Sequence, residues 1–169
     1  MPTGRKTLTT DDGPAVVSEK SLRALVAIRR EKLLPLLYGR VVAARSVREA
    51  MRDVLADKAL EWLEVADDRP EQALPARVAN ANPSDAATLR LALGIGASIV
   101  ILEEPVKEKA KLSFIKAEGV VSMLVLAYRQ GHLSAVRPMV VALEKLGHGA
   151  VLPPPERLEA LWVALEKLG

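Results

Sequence analysis

Carboxylates recur along this chain where a parallel sheet would collect them. Glu19 follows the apolar triplet Ala15-Val16-Val17 and Ser18, and Glu49 lies in the segment after Val41-Val42-Ala43. Asp85 stands at a helix start beside Ser84, and Glu103-Glu104 close the run from Ser98 to Leu102. Two carboxylates about 6 Å apart repel by roughly 3 kcal/mol at an effective dielectric near 20, so a cleft holding several favours a divalent cation or raised pKa values. All-oxygen ligation suits Mg²⁺ or Mn²⁺, and such an ion can activate water and stabilise the leaving oxygen when a phosphodiester is cleaved. Each acid alone has a plainer role, Asp85 favouring a helix dipole and the others facing water. A shared rim is what makes them a candidate site.

The elements that would build that rim follow from apolar spacing. Ala15-Val16-Val17 reads as a short strand, then Leu22, Leu25, Val26 and Ile28 with Leu33, Leu34, Leu36 and Leu37 repeat as two helical pieces broken near Pro35. Val41-Val42-Ala43 is a second strand before a helix that Ser46 can cap, and Trp62-Leu63-Glu64-Val65 a short extended piece before a polar loop from Asp67 to Pro83. Ser84 is the expected cap of the next helix, which Gly94 and Gly96 end. The β-branched run Ile99-Val100-Ile101 between a helix-ending glycine and charges is the pattern of a strand buried on both faces. A short helix from Lys107 to Leu112, an edge strand around Ile115, helices over Val121–Tyr128 and Val136–Leu146, and a last amphipathic helix over Glu156–Leu168 complete the chain. Strands alternating with helices imply parallel pairing through right-handed crossovers, and ligands in such folds gather beyond the carboxyl ends of the strands. The expected fold is a three-layer α/β/α sandwich with a parallel sheet of about four to five strands. It divides into a tail over 1–14, a domain over 15–150, and a Pro-rich link with its helix over 151–169.

Composition narrows the function. A length of 169 residues, 50% of them hydrophobic, suffices for one self-sufficient core. The absence of cysteine excludes disulfides and thiolate metal sites, and the opening MPTGRKTLTT lacks the apolar stretch of a secretory signal, so the expected location is the cytoplasm. The longest apolar run, Leu91 to Leu102, falls well short of the roughly 20 residues that span a bilayer. A net charge of +3 allows an acidic partner such as RNA without demanding one. Aromatics at 3% argue against a platform for stacking bases.

Basic residues follow the strands: Lys107, Lys109, Lys111 and Lys116 after the fourth, Arg40, Arg45, Arg48 and Arg52 around the second. They can grip phosphates, although such charges more often solvate helix faces. His132 and His148 sit beside glycines near helix ends and form no ligand pair. Trp62 and Trp162 read as packing residues, and Leu158, Leu161, Trp162, Leu165 and Leu168 give the last helix an apolar face for its own domain or for a second subunit in a homodimer. No Gly-rich phosphate loop is present, since Gly94-Ile95-Gly96 ends a helix instead of starting one.

Several stretches together resemble the PIN-domain family, in particular its bacterial and archaeal group of nucleic-acid-binding proteins, some encoded beside small antitoxins. They are Gly131-His132-Leu133-Ser134-Ala135-Val136-Arg137-Pro138 with Leu143 and Gly147, Leu33 to Gly39, Trp62 to Val65, and the helix-to-strand run from Asp85 to Glu104. The resemblance implies a parallel sheet between helices and, in active members, Mg²⁺- or Mn²⁺-dependent cleavage of RNA. By it, Glu19, Asp85 and Glu103 are the catalytic acids, and Glu19, Glu49, Asp85, Glu103 and Glu104 the metal set. A second placement of the first acid, on Asp11, needs a longer insertion. The acid expected three residues after Val47 falls on Ala50, leaving Glu49 displaced by about 100° around a helix. Glu19 and Glu103 stand where aspartates are usual, and Val120 and Ser122 where Thr and Gly are. The implied function is a metal-dependent endoribonuclease, such as the toxin of a toxin–antitoxin pair. The alternative is a catalytically degenerate module that binds RNA or an antitoxin-like protein.

Overall fold

A computed structural model describes residues 13–55 and 60–168, with the side chain of Leu168 excepted. The polar tail up to Asp12, including Asp11, lies outside the described residues. Five strands form one sheet: β1 (Ala15–Val17), β2 (Val41–Ala44), β3 (Leu63–Ala66), β4 (Ile99–Ile101) and β5 (Ala117–Glu118). All pair in parallel in the order β3-β2-β1-β4-β5. β1 lies in the middle, and Ala15, Val16 and Val17 are fully buried, as a short apolar strand covered on both faces must be. The sheet of parallel strands with helices on either side is the three-layer α/β/α architecture.

The helices are α1 (Glu19–Ala27), α2 (Leu33–Tyr38), α3 (Arg45–Ala50), α4 (Arg52–Leu55), α5 (Pro83–Ile95), α6 (Val106–Leu112), α7 (Val120–Arg129), α8 (Arg137–Lys145) and α9 (Pro155–Leu168). From β1 the chain moves outward to β2 and β3, then crosses back to β4 and on to β5. With right-handed crossovers this reversal sends the connections after β1 and β4 to opposite faces, leaving a crevice between those two strands at their carboxyl ends. Ladder bonding continues past both: the Ser18 N–H donates to the Ile101 carbonyl at 3.0 Å, and the Leu102 N–H to the Glu118 carbonyl at 2.9 Å.

Four expected boundaries shift for identifiable reasons. α3 starts at Arg45, with Ala44 at its N-cap, because the acceptor for its free N–H comes from another segment: Ser46 N–H donates to Asp68 Oδ1 at 3.0 Å. Asn82, not Ser84, caps α5, with Pro83 at the first helical position, where proline's missing donor costs nothing. The edge strand forms at Ala117–Glu118 instead of around Ile115, because α6 closes on itself through Ile115, whose N–H donates to the Ala110 carbonyl at 2.9 Å. Pro35 lies inside the first turn of α2, so the break between α1 and α2 falls before it. Gly13, at φ +79, leads into β1 where any Cβ would meet the Gly96 carbonyl.

The last helix docks on its own domain. Trp162 is buried, Leu158, Leu161 and Leu165 pack on the core, and the Arg137 guanidinium lies 5.0 Å over the Trp162 ring. Among the described residues no helix is long and apolar enough to cross a membrane.

Candidate functional site

Glu103 is a deeply set acid at the carboxyl end of the sheet, 5% exposed. It follows the buried run from Ile99 to Leu102, and its backbone is still tied to the sheet's edge, so its side chain turns inward across the crevice toward β1. There the loop after β1 supplies two hydroxyls. Ser18 caps α1 by accepting from the Ser21 N–H at 3.3 Å and donates its own proton to Glu103 Oε2 at 2.7 Å; the Ser21 hydroxyl also donates to Oε2. Among the described residues the buried Oε1 has no hydrogen-bond partner. Burial pushes the Glu103 carboxyl up from the ordinary range; the serine bonds lower it, Asp85 raises it further, and Lys20 lowers it.

Asp85, 3% exposed, occupies the third position of α5 and exchanges two bonds with the capping residue: its N–H donates to Asn82 Oδ1 at 2.9 Å, and Asn82 Nδ2 donates to Asp85 Oδ2 at 3.0 Å. Burial pushes this carboxyl up too, Lys20 and Asn82 pull it back, and Glu19 pushes it up again. Lys20, itself exposed, is therefore a cation felt by both buried acids.

Glu19 comes to the same rim but is already engaged. The Ser84 hydroxyl donates to its Oε1 at 2.9 Å, and Arg23, one turn along α1, donates Nε to its Oε2 at 2.9 Å. Arg23 then reaches across to the end of α3, where Nη2 donates to the Ala50 carbonyl at 2.7 Å, and pairs with Asp53 of α4 at 3.4 Å. A guanidinium thus bridges Glu19 and the residue at which the resemblance calls for another acid.

Glu49 and Glu104 are not brought into this group. Glu49 is exposed on α3, where its charge acts on Arg45. Glu104 turns to the outer side, pairing with Lys107 at 3.1 Å and with Arg157 of α9 at 3.7 Å. A groove of about 900 Å³ runs from there along β5, lined by Glu103, Glu104, Tyr38, Lys107, Ser122 and Arg129 among others. Arg40 and Arg45 are spent on acids of the β3 segment, Arg40 on Glu64 at 2.8 Å and Arg45 on Asp67 at 2.7 Å.

Among the described residues no group of three or more His, Cys, Asp or Glu side chains is arranged to hold a metal ion. The chemistry of the donors explains why. Glu19 is committed to Arg23 and Ser84, and position 50 offers a carbonyl already bonded to Arg23. Only Asp85 and Glu103 remain, with Lys20 beside them. The residues present do not fit the five-carboxylate metal set read from the sequence. Lys20, Arg23, Ser18, Ser21 and Asn82 were not singled out by that reading, and only the four-residue spacing of Glu19 and Arg23 signalled one of these contacts in advance.

No curated protein and no solved structure matches the chain. A family model described as PIN domain matches residues 15–155. That stretch takes in every strand of the sheet together with Glu19, Glu49, Asp85, Glu103 and Glu104, and by it the chain belongs to the PIN-domain family, a nuclease-type fold.

Proposed function

We propose that this protein is a PIN-fold module that binds single-stranded RNA without a divalent cation and does not cleave it. The observation that carries this reading is the Arg23 bridge from Glu19 to the Ala50 carbonyl, which puts a fixed positive charge in the corner of the site where a metal-binding PIN protein would need a free carboxylate. Four carboxylates facing a phosphate chain would repel it. Here Lys20 acts on Asp85 and Glu103, Arg23 on Glu19, and Lys107 with Arg157 on Glu104, so the rim is close to balanced by its own side chains. Burial also holds the Asp85 and Glu103 carboxyls in the neutral form to higher pH than usual. Among the described residues Glu103 Oε1 is buried and has no hydrogen-bond partner.

One observation favours a second reading. The same unpartnered oxygen beside Asp85 is what a weak Mg²⁺ or Mn²⁺ site would present, which would make the protein an endoribonuclease with Asp85 and Glu103 as its surviving acids. A labelled single-stranded RNA incubated with the protein in EDTA and in millimolar Mn²⁺, together with melting curves under both conditions, separates the two. Binding in EDTA, an unchanged Tm in Mn²⁺ and intact RNA are expected. A Tm that rises in Mn²⁺ and no longer does so in Asp85→Ala, accompanied by cleavage, would replace the binding reading with the nuclease one.

A further inference from the structure

The chain's single phenylalanine, Phe114, is 99% exposed and adopts φ +64. It follows α6 in a tight closure: the Phe114 N–H donates to the Lys111 carbonyl at 3.0 Å and the Ile115 N–H to the Ala110 carbonyl at 2.9 Å. That pair of bonds is a Schellman ending, whose left-handed position is normally glycine because a Cβ there is sterically penalised. Elsewhere the chain follows the rule, with Gly39, Gly96, Gly131 and Gly147 at positive φ near the ends of α2, α5, α7 and α8. Apart from Phe114, the described residue that departs from it is Arg29, a side chain at home in water. At the end of α6 the fold carries backbone strain to hold a large apolar ring in solvent, where it buries nothing.

The surroundings of the ring identify its partner. Lys109 and Lys111 on α6 and Lys116 beyond the loop are exposed, while Glu108 is the one acid between Lys107 and Lys116. Lysine is depleted from the cores of protein–protein interfaces, so a ring among lysines is poorly suited to a protein partner. A flat π-face with cations spaced around it suits a single nucleic-acid strand, whose bases stack while its phosphates are neutralised. α6 begins at the rim, beside Glu104 and Lys107, and ends at Phe114 near the amino end of β5, so a strand lying along it would pass from the acidic rim to the ring.

We propose that Phe114, with Lys109, Lys111 and Lys116, is a contact for single-stranded RNA in which one base stacks on the phenyl ring. The proposal rests on the reading of the protein as an RNA binder and places on the molecule a contact that the rim does not provide.

Phe114→Gly is the informative variant, because glycine fits the left-handed position and removes the ring. Its Tm should equal or exceed that of the unaltered chain, while affinity for a labelled single-stranded RNA oligonucleotide falls roughly 5- to 150-fold, the range for losing one base–aromatic stack. Phe114→Trp should keep the affinity and show fluorescence quenching on RNA addition. Lys111→Gln and Lys116→Gln should each lower the salt dependence by about 0.7 of a counterion, as for one phosphate contact on a single strand. If the unaltered chain and Phe114→Gly bind RNA equally, the stacking contact is wrong and the RNA reading survives. If neither binds RNA, both fall. Binding to phosphatidylserine vesicles that Phe114→Gly abolishes, without RNA binding, would reassign the patch to a membrane surface and overturn the proposal.

Discussion

The loops leaving β4 and β2 emerge at the same end of the sheet, yet they treat their acids in opposite ways. After β4 the chain stays bonded to its neighbours through Leu102, and Glu103 is carried inward onto the hydroxyls of Ser18 and Ser21. After β2 the chain enters α3 immediately at Arg45, and helical phase then decides what faces the crevice. Glu49 turns to water, and Ala50, also exposed and the last residue of α3, offers its carbonyl to Arg23. An acid's distance along the chain from a strand end says little about whether it joins a site. What matters is whether the backbone between is still held by the sheet or has begun to rotate as a helix.

The sharpest way to break this contrast is to rebuild the β2 side so that it resembles the β4 side. Combining Lys20→Ser, Arg23→Ser and Ala50→Glu removes both internal cations and returns a carboxylate to the corner that Arg23 now occupies. With Mn²⁺ at a hundredfold excess over its Kd, the gain should be about 2.7 kcal/mol. For a chain of this size that corresponds to roughly 5–11 °C in Tm. Melting curves with and without Mn²⁺ measure it. A folded triple variant that stays blind to Mn²⁺ would mean that the carboxylates are too far apart to share an ion, and that Arg23 is not what excludes one.

The sheet was legible because its signals are local. Ile99-Val100-Ile101 between Gly96 and Glu103 can hardly be anything but a buried strand, and the tract from Pro83 to Gly96 carries its own start and stop. The site was legible only as far as the acids that sit directly on those elements: Glu19, Asp85 and Glu103 could be sent to one end of the sheet from their positions alone. What escaped is whatever is made by residues distant in sequence. Asp68 supplies the bond that Ser46 was expected to organise, across 22 positions, and Arg23 finds Ala50 across 27. No spacing rule anticipates such meetings, because they depend on how two crossovers sit over one crevice.

A smaller effect tests the β4 side alone. Burial raises the Glu103 carboxyl above its value in the unfolded chain, so the unfolded state releases its proton first as pH rises. The native protein therefore loses stability between the ordinary carboxylate range and the raised folded value, and the loss is complete above that. Glu103→Gln keeps an oxygen to accept from Ser18 and Ser21 but cannot ionise. It should be more stable than the unaltered chain at pH 7 by less than the metal-dependent gain of the rebuilt site, with the difference closing below about pH 4. Urea denaturation across that range reads it out. A Glu103→Gln protein less stable at pH 7 would mean that the native crevice prefers the charged carboxylate and supplies more positive charge than Lys20 alone.

The least effect belongs to Glu49, and its smallness is informative. On the exposed face of α3 it touches none of the groups around Glu103, so Glu49→Ala should change stability by no more than about 0.5 kcal/mol. RNA affinity in EDTA should be unchanged. The same substitution one position further on is not available, because Ala50 already lacks a side chain beyond Cβ and acts through its carbonyl. If Glu49→Ala weakened RNA binding or removed a response to Mn²⁺, α3 would have to turn by about one residue in the working protein. That rotation would break the bond from Arg23 to the Ala50 carbonyl, and the difference between the two loops would then be a property of the unliganded state alone.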